Sequence, residues 1–509
     1  MIDLPPGWVR IALSGLVSPA GLFSDGDWVE SKDQDANGSI RLLQLADVGD
    51  GVFLNKSSRF VNEEQFKRLR CTEVLEGDIL IARMPDPLGR ACLAPRLPQR
   101  CITVVDVAIL RPRNALVHTD WAMYALNAPQ VRTQIDLESS GTTRRRIARG
   151  KLALFELPVP PVDEQERIAD KLDAILARVH ACRDRLDRVP AILKRFRQSV
   201  LAAANSGKLT EEWRSTNPAI SDAAKLAQIL HATHESVGGH KAGNAAAPTE
   251  DVHDLSADLF PPEWALVTLR DLVLPDRPIT YGILKPGPEL EDGVPYVRVA
   301  DFPGEKLNLS TIRKTSPKMD DEFKRSRLRP GDVLLSIRGT VGRLIMIPQA
   351  LDGANITQDS ARLSIQPAAS RDYVLWYLRS EMAQSRMKSA TKGVAVRGIN
   401  IGDVRALQVP LPSRDEQDEI VRRVESLFAW TDRLEARHAA ARAHVERLTP
   451  ALLAKAFRGE LVPQDPADEP ASELLKRLGQ RPADNSTSPP KRQSSKRSRA
   501  IAAQAASSA

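Results

Sequence analysis

Residues 157–176 read LPVPPVDEQERIADKLDAIL and residues 200–209 read VLAAANSGKL; residues 409–428 read VPLPSRDEQDEIVRRVESLF and residues 452–461 read LLAKAFRGEL. The two stretches align without a gap at an offset of 252, placing Asp163-Glu164-Gln165 on Asp415-Glu416-Gln417, Ile168 on Ile420, Gly207 on Gly459 and Leu209 on Leu461. The repeat runs upstream. Leu4-Pro5-Pro6-Gly7-Trp8 matches Phe260-Pro261-Pro262-Glu263-Trp264, Gly77-Asp78-Ile79-Leu80 matches Gly331-Asp332-Val333-Leu334, and Gly141 with Ile147 matches Gly393 with Ile399, at offsets between 252 and 256. Solenoid units run to about 20–50 residues. A far longer unit present twice is a duplicated domain pair, each copy a globular part followed by a helical arm.

The arms carry their own signal. In the first, Ile168, Leu172, Ile175, Val179, Cys182, Leu186, Val189, Leu193, Phe196 and Val200 recur at steps of three and four. In the second, the same offset gives Ile420, Val424, Leu427, Thr431, Leu434, His438, Ala441, Val445, Leu448 and Leu452. Such spacing over several heptads predicts a coiled-coil seam. A single apolar stripe needs a partner, and the other arm supplies one: the expected arrangement is antiparallel, with a globular domain at each end. The alternative packs each arm on its own globular copy. Asp163 and Asp415 fit N-caps, and Gly207 and Gly459 fit the C-terminal stops. Pro190 should kink or split the first arm, and Thr431 and His438 weaken the second seam.

Each globular copy opens on Pro-Pro-x-Trp, and Trp8 and Trp264 read as core anchors. Short apolar runs follow, entered through Gly-Asp turns, and then a helical stretch near residues 118–136 and 371–388. The fold class is α+β: two duplicated mixed domains separated by two long antiparallel coiled-coil helices. The expected boundaries are 1–156 for the first globular copy, 157–214 for the first helical spacer, 215–258 for a flexible linker, 259–408 for the second copy, 409–480 for the second spacer and 481–509 for a disordered basic tail. His231 and His234 fall in the linker, where the absence of further ligands argues against a metal site.

Basic residues cluster beside the strand signals: Arg83 and Arg90 in the first copy, Arg338 and Arg343 in the second. Arg144, Arg145 and Arg146 crowd the end of the first copy, and Lys392 and Arg397 the end of the second. Arginine reads guanine bidentately and neutralises phosphate, so these are the candidate DNA-binding residues. The chain of 509 residues has a net charge of +7, compatible with a polyanionic partner. Its 4 cysteines form no CxxC pair, which points away from a zinc knuckle and towards a reduced, cytoplasmic setting. No run of about 18 apolar residues suggests a membrane span.

LPVPPVDEQERI and VPLPSRDEQDEI, each leading into a long helix that ends in Ser-Gly-Lys-Leu-Thr or Arg-Gly-Glu-Leu-Val, resemble the two shared regions of the specificity subunits of type I restriction–modification enzymes. The likeness covers nearly the whole chain apart from linker and tail. It implies that each globular copy is a target-recognition domain for one half of a bipartite site in double-stranded DNA. It also implies that the helices set the gap and dock two methyltransferase subunits through seam positions such as Ile168, Leu172, Leu193, Phe196, Ile420, Val424, Leu434 and Leu448. Restriction subunits would complete an ATP-dependent endonuclease. S-adenosylmethionine, ATP and magnesium would then sit on the partners, with no cofactor on this chain.

Two other readings compete. A DNA-modifying or DNA-cutting enzyme would need a phosphate loop or an Asn/Asp-Pro-Pro-Tyr/Phe motif, and neither occurs. Glu30-Ser-Lys32 satisfies only half of a nuclease motif, in one copy. A coiled-coil scaffold would leave the duplicated globular domains without a task.

Overall fold

The computed structural model describes residues 4–84, 88–114, 116–141, 145–217, 222–236, 255–392 and 397–479. Arg144, linker residues 237–254 and the tail 481–509 lie outside them. The chain divides into two compact units, one of residues up to 183 with those from 443 onward, the other of residues 184–442. The division falls within both arms, so each unit holds one globular copy and part of each helix.

The Gly-Asp turn signals open buried strands. In the first unit Ile79–Ala82 is an inner strand of a four-stranded antiparallel sheet with Leu22–Asp25, Val107–Arg111 and Ala91–Leu93. A second, three-stranded sheet joins Arg59–Val61, Ile40–Leu43 and Cys101–Thr103, the last two running parallel. The second unit repeats the topology strand for strand, with Thr280–Tyr281, Ser360–Leu363, Val333–Ser336 and Leu344–Met346 in one sheet and Arg313–Thr315, Val294–Val297 and Asn355–Ile356 in the other. In each copy a two-stranded ribbon, Val9–Ala12 with Glu156–Val159 or Ala265–Thr268 with Gln408–Leu411, closes the globular part against its arm.

The expected single helix of each copy is two short ones, Thr119–Asn127 with Pro129–Glu138 and Arg371–Arg379 with Glu381–Ser389. Pro129 sets the break in the first by opening a new helix at N1. Ser380 sets it in the second by capping Ala383 N–H.

The arms are helices Val162–Asn205 and Arg414–Ala456. Pro190 was expected to kink or split the first arm; it stands inside one continuous helix, so the arm is not split. Asp163 and Asp415 were expected to cap; instead they lie inside the first turn, where their charge faces the positive end of the helix dipole. In the second arm Ser413, one residue before the helix, accepts from the Glu416 N–H and so does the capping. Both terminal glycines adopt the left-handed conformation, φ 74° at Gly207 and at Gly459. A Cβ there would stand 2.3 Å from Pro261 Cγ or 2.5 Å from Pro5 Cγ.

Within the second unit the arms run antiparallel past each other. Arg197 pairs with Asp432 and with Glu435 at 3.1 Å, Phe196 meets Trp430 edge-on at 5.8 Å, and Asp187 pairs with Arg442 at 3.0 Å. The polar seam residues have partners of their own. Thr431 is buried and donates to the Leu427 carbonyl at 2.8 Å, and His438 Nε2 lies 2.9 Å from the Leu186 carbonyl. Cys182, placed in the seam by its spacing, is exposed.

One stretch assigned to the linker is ordered. Ala223–Ser236 is a helix whose Ala223 and Leu230 are buried, Leu230 in the core of the second unit beside Trp264 and Val267. Leu226 and Leu230 stand four residues apart, as a helix requires, and the His and Ala content masked that signal. No helix among the described residues is long and apolar enough to cross a membrane.

Candidate nucleic-acid interface

The Asp-Glu-Gln motif holds each copy to its arm. Trp8 donates its indole N–H to Glu164 at 2.9 Å, and Trp264 donates to Glu416 at 3.0 Å. Both tryptophans are buried, as expected of core anchors. Gln165 accepts from the His118 N–H at 2.9 Å and Gln417 from the Ser370 N–H at 2.7 Å, so each glutamine satisfies the backbone where helix Thr119–Asn127 or Arg371–Arg379 begins. The Glu and Gln of each motif are buried; only Asp163 and Asp415 face solvent.

The seam residues divide by contact. Ile168 and Leu172 are buried in the first unit's core beside Trp121, Leu453 and Phe457, and Ile420 and Val424 in the second unit's core beside Val200 and Leu201. Each arm therefore starts on its own globular copy, in part as the alternative reading had it. Leu193 is buried, while Phe196, Leu434 and Leu448 are half-buried along the arms.

The basic candidates separate into buried and exposed sets. Arg83 and Arg90 depart from the expectation of a surface loop. Arg83 is ion-paired with Asp25 at 3.0 Å and donates to the Val105 and Ile147 carbonyls. Burial lowers its pKa from the usual value. Arg90 donates to the Val48 carbonyl at 2.5 Å and to the Leu45 carbonyl at 2.8 Å. Both guanidiniums tie loops together and leave the candidate set.

Register explains the miss. The Ile147 N–H donates to the Arg83 carbonyl as the Ile399 N–H donates to the Ile337 carbonyl. Arg83 therefore corresponds to the core residue Ile337, one position before the exposed Arg338.

The remaining candidates are brought together copy by copy. In the second unit the Arg338 backbone bridges to Gly398, Lys392 bridges to Gly398, and the Gly339 N–H donates to the Arg397 carbonyl at 2.9 Å. Arg338, Lys392 and Arg397 thus share one exposed corner. Arg338 donates to the neutral Gln358 at 2.9 Å, and the side chains of Arg343, Lys392 and Arg397 bond to no described residue. In the first unit Arg145 pairs with Asp136 at 2.8 Å and Arg146 with Asp106 at 3.2 Å. The first corner is thus partly neutralised and the second carries unbalanced positive charge, as a phosphate-facing surface needs.

Sequence reasoning missed the depression of about 490 Å³ beside the first corner, lined by Asp27, Trp28, Glu30, Gln44, Val105 and Asp106. Burial raises the Asp27 pKa to about 6, although its carboxylate accepts from the Thr72 N–H at 2.9 Å. Glu30 accepts from the Trp28 indole at 3.2 Å and pairs with Lys32 at 2.7 Å, which accounts for the Glu-x-Lys triplet by local pairing on the surface. Among the described residues no group of acidic, His or Cys side chains could hold a metal ion.

A family model described as the type I restriction modification DNA specificity domain matches residues 26–189 and 261–441. The chain is similar to the type I restriction enzyme EcoBI specificity subunit of Escherichia coli, 34% identical over 474 residues that cover 92% of this chain and 90% of that one. It is also similar to the EcoKI specificity subunit of Escherichia coli strain K12, 30% identical over 489 residues, 92% of each chain. Among solved structures, the HsdS subunit from Thermoanaerobacter tengcongensis shares the fold at TM-score 0.53 and 20% identity, covering 90% of this chain and 98% of that one. A chain from a structure described as the basis of complex assembly and conformational transition of the type I R-M system gives TM-score 0.59 at 20% identity, covering 90% and 99%.

Proposed function

This chain belongs to the DNA specificity subunits of type I restriction–modification systems, and from that premise we propose that each globular copy reads one half of a bipartite site, with the paired arms fixing the gap between the halves. DNA recognition is the role of the family; the division of labour between the copies is the further step. The observation that carries it is the duplication of the clamp: Trp8–Glu164 and Trp264–Glu416 fix two bodies of the same topology to the starts of two helices of nearly equal length. Arg145 and Arg146 in one copy, and Arg338, Arg343, Lys392 and Arg397 in the other, provide the contacts to phosphate and base edges.

In this reading the chain performs no chemistry itself. Two methyltransferase subunits, carrying S-adenosylmethionine, dock on the near-equivalent arm starts and methylate adenine, and restriction subunits add ATP- and magnesium-dependent cleavage. The buried Glu and Gln of each motif take no part in docking; the exposed faces around Asp163 and Asp415 are available for it. Native mass spectrometry of the chain mixed with its methyltransferase should show two methyltransferases per chain. A stable one-to-one complex with no second binding step contradicts the proposal, as does methyl transfer or cleavage by the isolated chain.

A further inference from the structure

Strand Leu22–Asp25 and strand Thr280–Tyr281 occupy the same place in the two four-stranded sheets, and each runs directly into a glycine, Gly26 or Gly282. Both glycines are obligatory by contact: a Cβ would lie 2.2 Å from the Val104 carbonyl oxygen at Gly26 and 2.0 Å from the Ile356 carbonyl oxygen at Gly282. The next residues, Asp27 and Ile283, form parallel bridges to Val104 and Thr357. The backbone is therefore pinned at matching points, and Trp28 corresponds to Leu284. These two side chains project into solvent, Trp28 67% and Leu284 51% exposed.

A single exposed apolar residue is ordinary. The same exposure at equivalent positions of two diverged copies, on backbone that close packing fixes, calls for a cause. In each copy the projecting residue is joined through one turn to an arginine of the basic corner. In the first, Arg146 bonds Asp106 at 3.2 Å and the Val105 carbonyl at 3.3 Å, and Val105 and Asp106 line the depression with Trp28. In the second, the Gln358 N–H donates to the Ile283 carbonyl at 2.9 Å, and Arg338 donates to the Gln358 side chain at 2.9 Å. The turns match: the Asp106 carbonyl accepts from the Arg83 N–H and the Asp359 carbonyl from the Ile337 N–H.

We propose that Trp28 and Leu284 are specificity-determining residues, the apolar contacts that each recognition domain makes to base edges in the DNA groove beside its arginine. The proposal rests on the reading that each copy binds its own half-site. Arginine on the flank holds phosphate, and the apolar side chain meets the one apolar feature of the major groove, the thymine methyl group, or the π-face of an exposed base step. Because the backbone behind it is pinned, little ordering is left to occur on binding. Two domains that read different half-sites should keep the scaffold and change the contact. That is the pattern here: Gly26 and Gly282 persist where Trp28 and Leu284 differ.

The test uses the chain assembled with its methyltransferase subunits, with methylome sequencing and rates on defined duplexes. Trp28→Ala should lower methylation of the cognate site about tenfold, or relax one or two positions, within one half-site only. Leu284→Ala should do the same in the other half. Trp28→Leu, which installs the second copy's residue, should change base preference in the first half alone. Leu154→Ala removes a side chain 73% exposed elsewhere in the first unit and should change nothing. Unaltered half-sites and rates in both alanine variants overturn the proposal, as does loss of both halves together with an unchanged melting curve, which marks an assembly contact. If exchanging residues 1–156 for those of a relative also leaves both halves unaltered, the half-site reading itself fails.

Discussion

Glu416 accepts the Trp264 indole N–H on one carboxylate oxygen and the Thr210 hydroxyl on the other, at 3.0 and 2.7 Å, with Arg214 paired at 3.1 Å. Among the described residues its counterpart Glu164 accepts only from Trp8, and its buried Oε1 has no hydrogen-bond partner. The difference traces to sequence. Thr210 and Arg214 stand where the second arm's tail carries Val462 and Pro466.

That asymmetry sets unequal outcomes for the same substitution. Burial raises the Glu164 pKa above the usual 4.5. A carboxylate with a raised folded pKa contributes stability below its unfolded value and loses it as pH rises through the folded one. Glu164→Gln should therefore change stability at pH 7 by less than about 1 kcal/mol and flatten the decline as pH rises above 4.5. Glu416→Gln strips Arg214 of its buried counter-ion and should cost about 3 kcal/mol at pH 7.5. Urea melts of the full chain at pH 5 and pH 7.5 decide it; equal losses from both variants contradict the account.

The glycine stops give a second check. Gly207→Ala and Gly459→Ala each place a Cβ at positive φ and within 2.5 Å of a proline. Each should lower stability by about 2 kcal/mol or more, through the left-handed backbone and the displaced Pro261 or Pro5. Pro5→Ala should recover part of the Gly459→Ala loss, because it removes the obstructing ring carbon. Thermal melts of the two single variants and the double read this directly, and a strictly additive double mutant argues against the contact.

The duplication and the long arms were legible because both depend on periodicity and on identities at fixed offsets. Side-chain roles at the boundaries were less so. Asp163 looks like a cap because cap residues and first-turn acids share a composition, and only the backbone separates them. Arg83 and Arg338 both follow a Gly-Asp strand, but the side-chain period of a strand is two, so a slip of one residue turned a core arginine into an apparent reader. Trp28 gave no signal at all: its exposure stands out only through the match to Leu284, across copies whose local sequences share little beyond a glycine.

If each copy reads its own half-site, exchanging residues 1–156 for those of a relative should replace one half of the methylated sequence and leave the other half and the gap intact. The clamp supports this boundary, since Glu164 and Gln165 remain with the arm while their partners Trp8 and His118 travel with the domain. The donor must therefore supply a tryptophan at the matching position. Methylome sequencing is the readout, and a change in both halves indicates one composite reading surface.

The gap is the property assigned to the arms. Two rigidly separated domains fix the distance between the bases they read, as half-site spacing does in dimeric repressors. Four residues added to a helix lengthen it by about 6 Å and rotate it a little past one turn, and DNA rises about 3.4 Å per base pair. Inserting four residues between Gln198 and Leu201 should therefore widen the gap by roughly one to two base pairs. Leu201 and Ala204 lie beyond the insertion and stay packed in the second unit's core with Phe260 and Trp264. Arg197, just before it, leaves Asp432 and Glu435 for positions held by Ala436 and Ala439, so the insertion costs these exposed ion pairs while keeping the helix face. Half-site sequences should not change, since the insertion touches neither Trp28 nor Leu284 nor either basic corner. The control is a four-residue insertion at Gly243, outside the described residues, in a Gly- and Ala-rich stretch that should not set distance. Methylome sequencing of both variants decides: a gap shifted by the Gly243 insertion and not by the helical one shows that the arms are not the ruler.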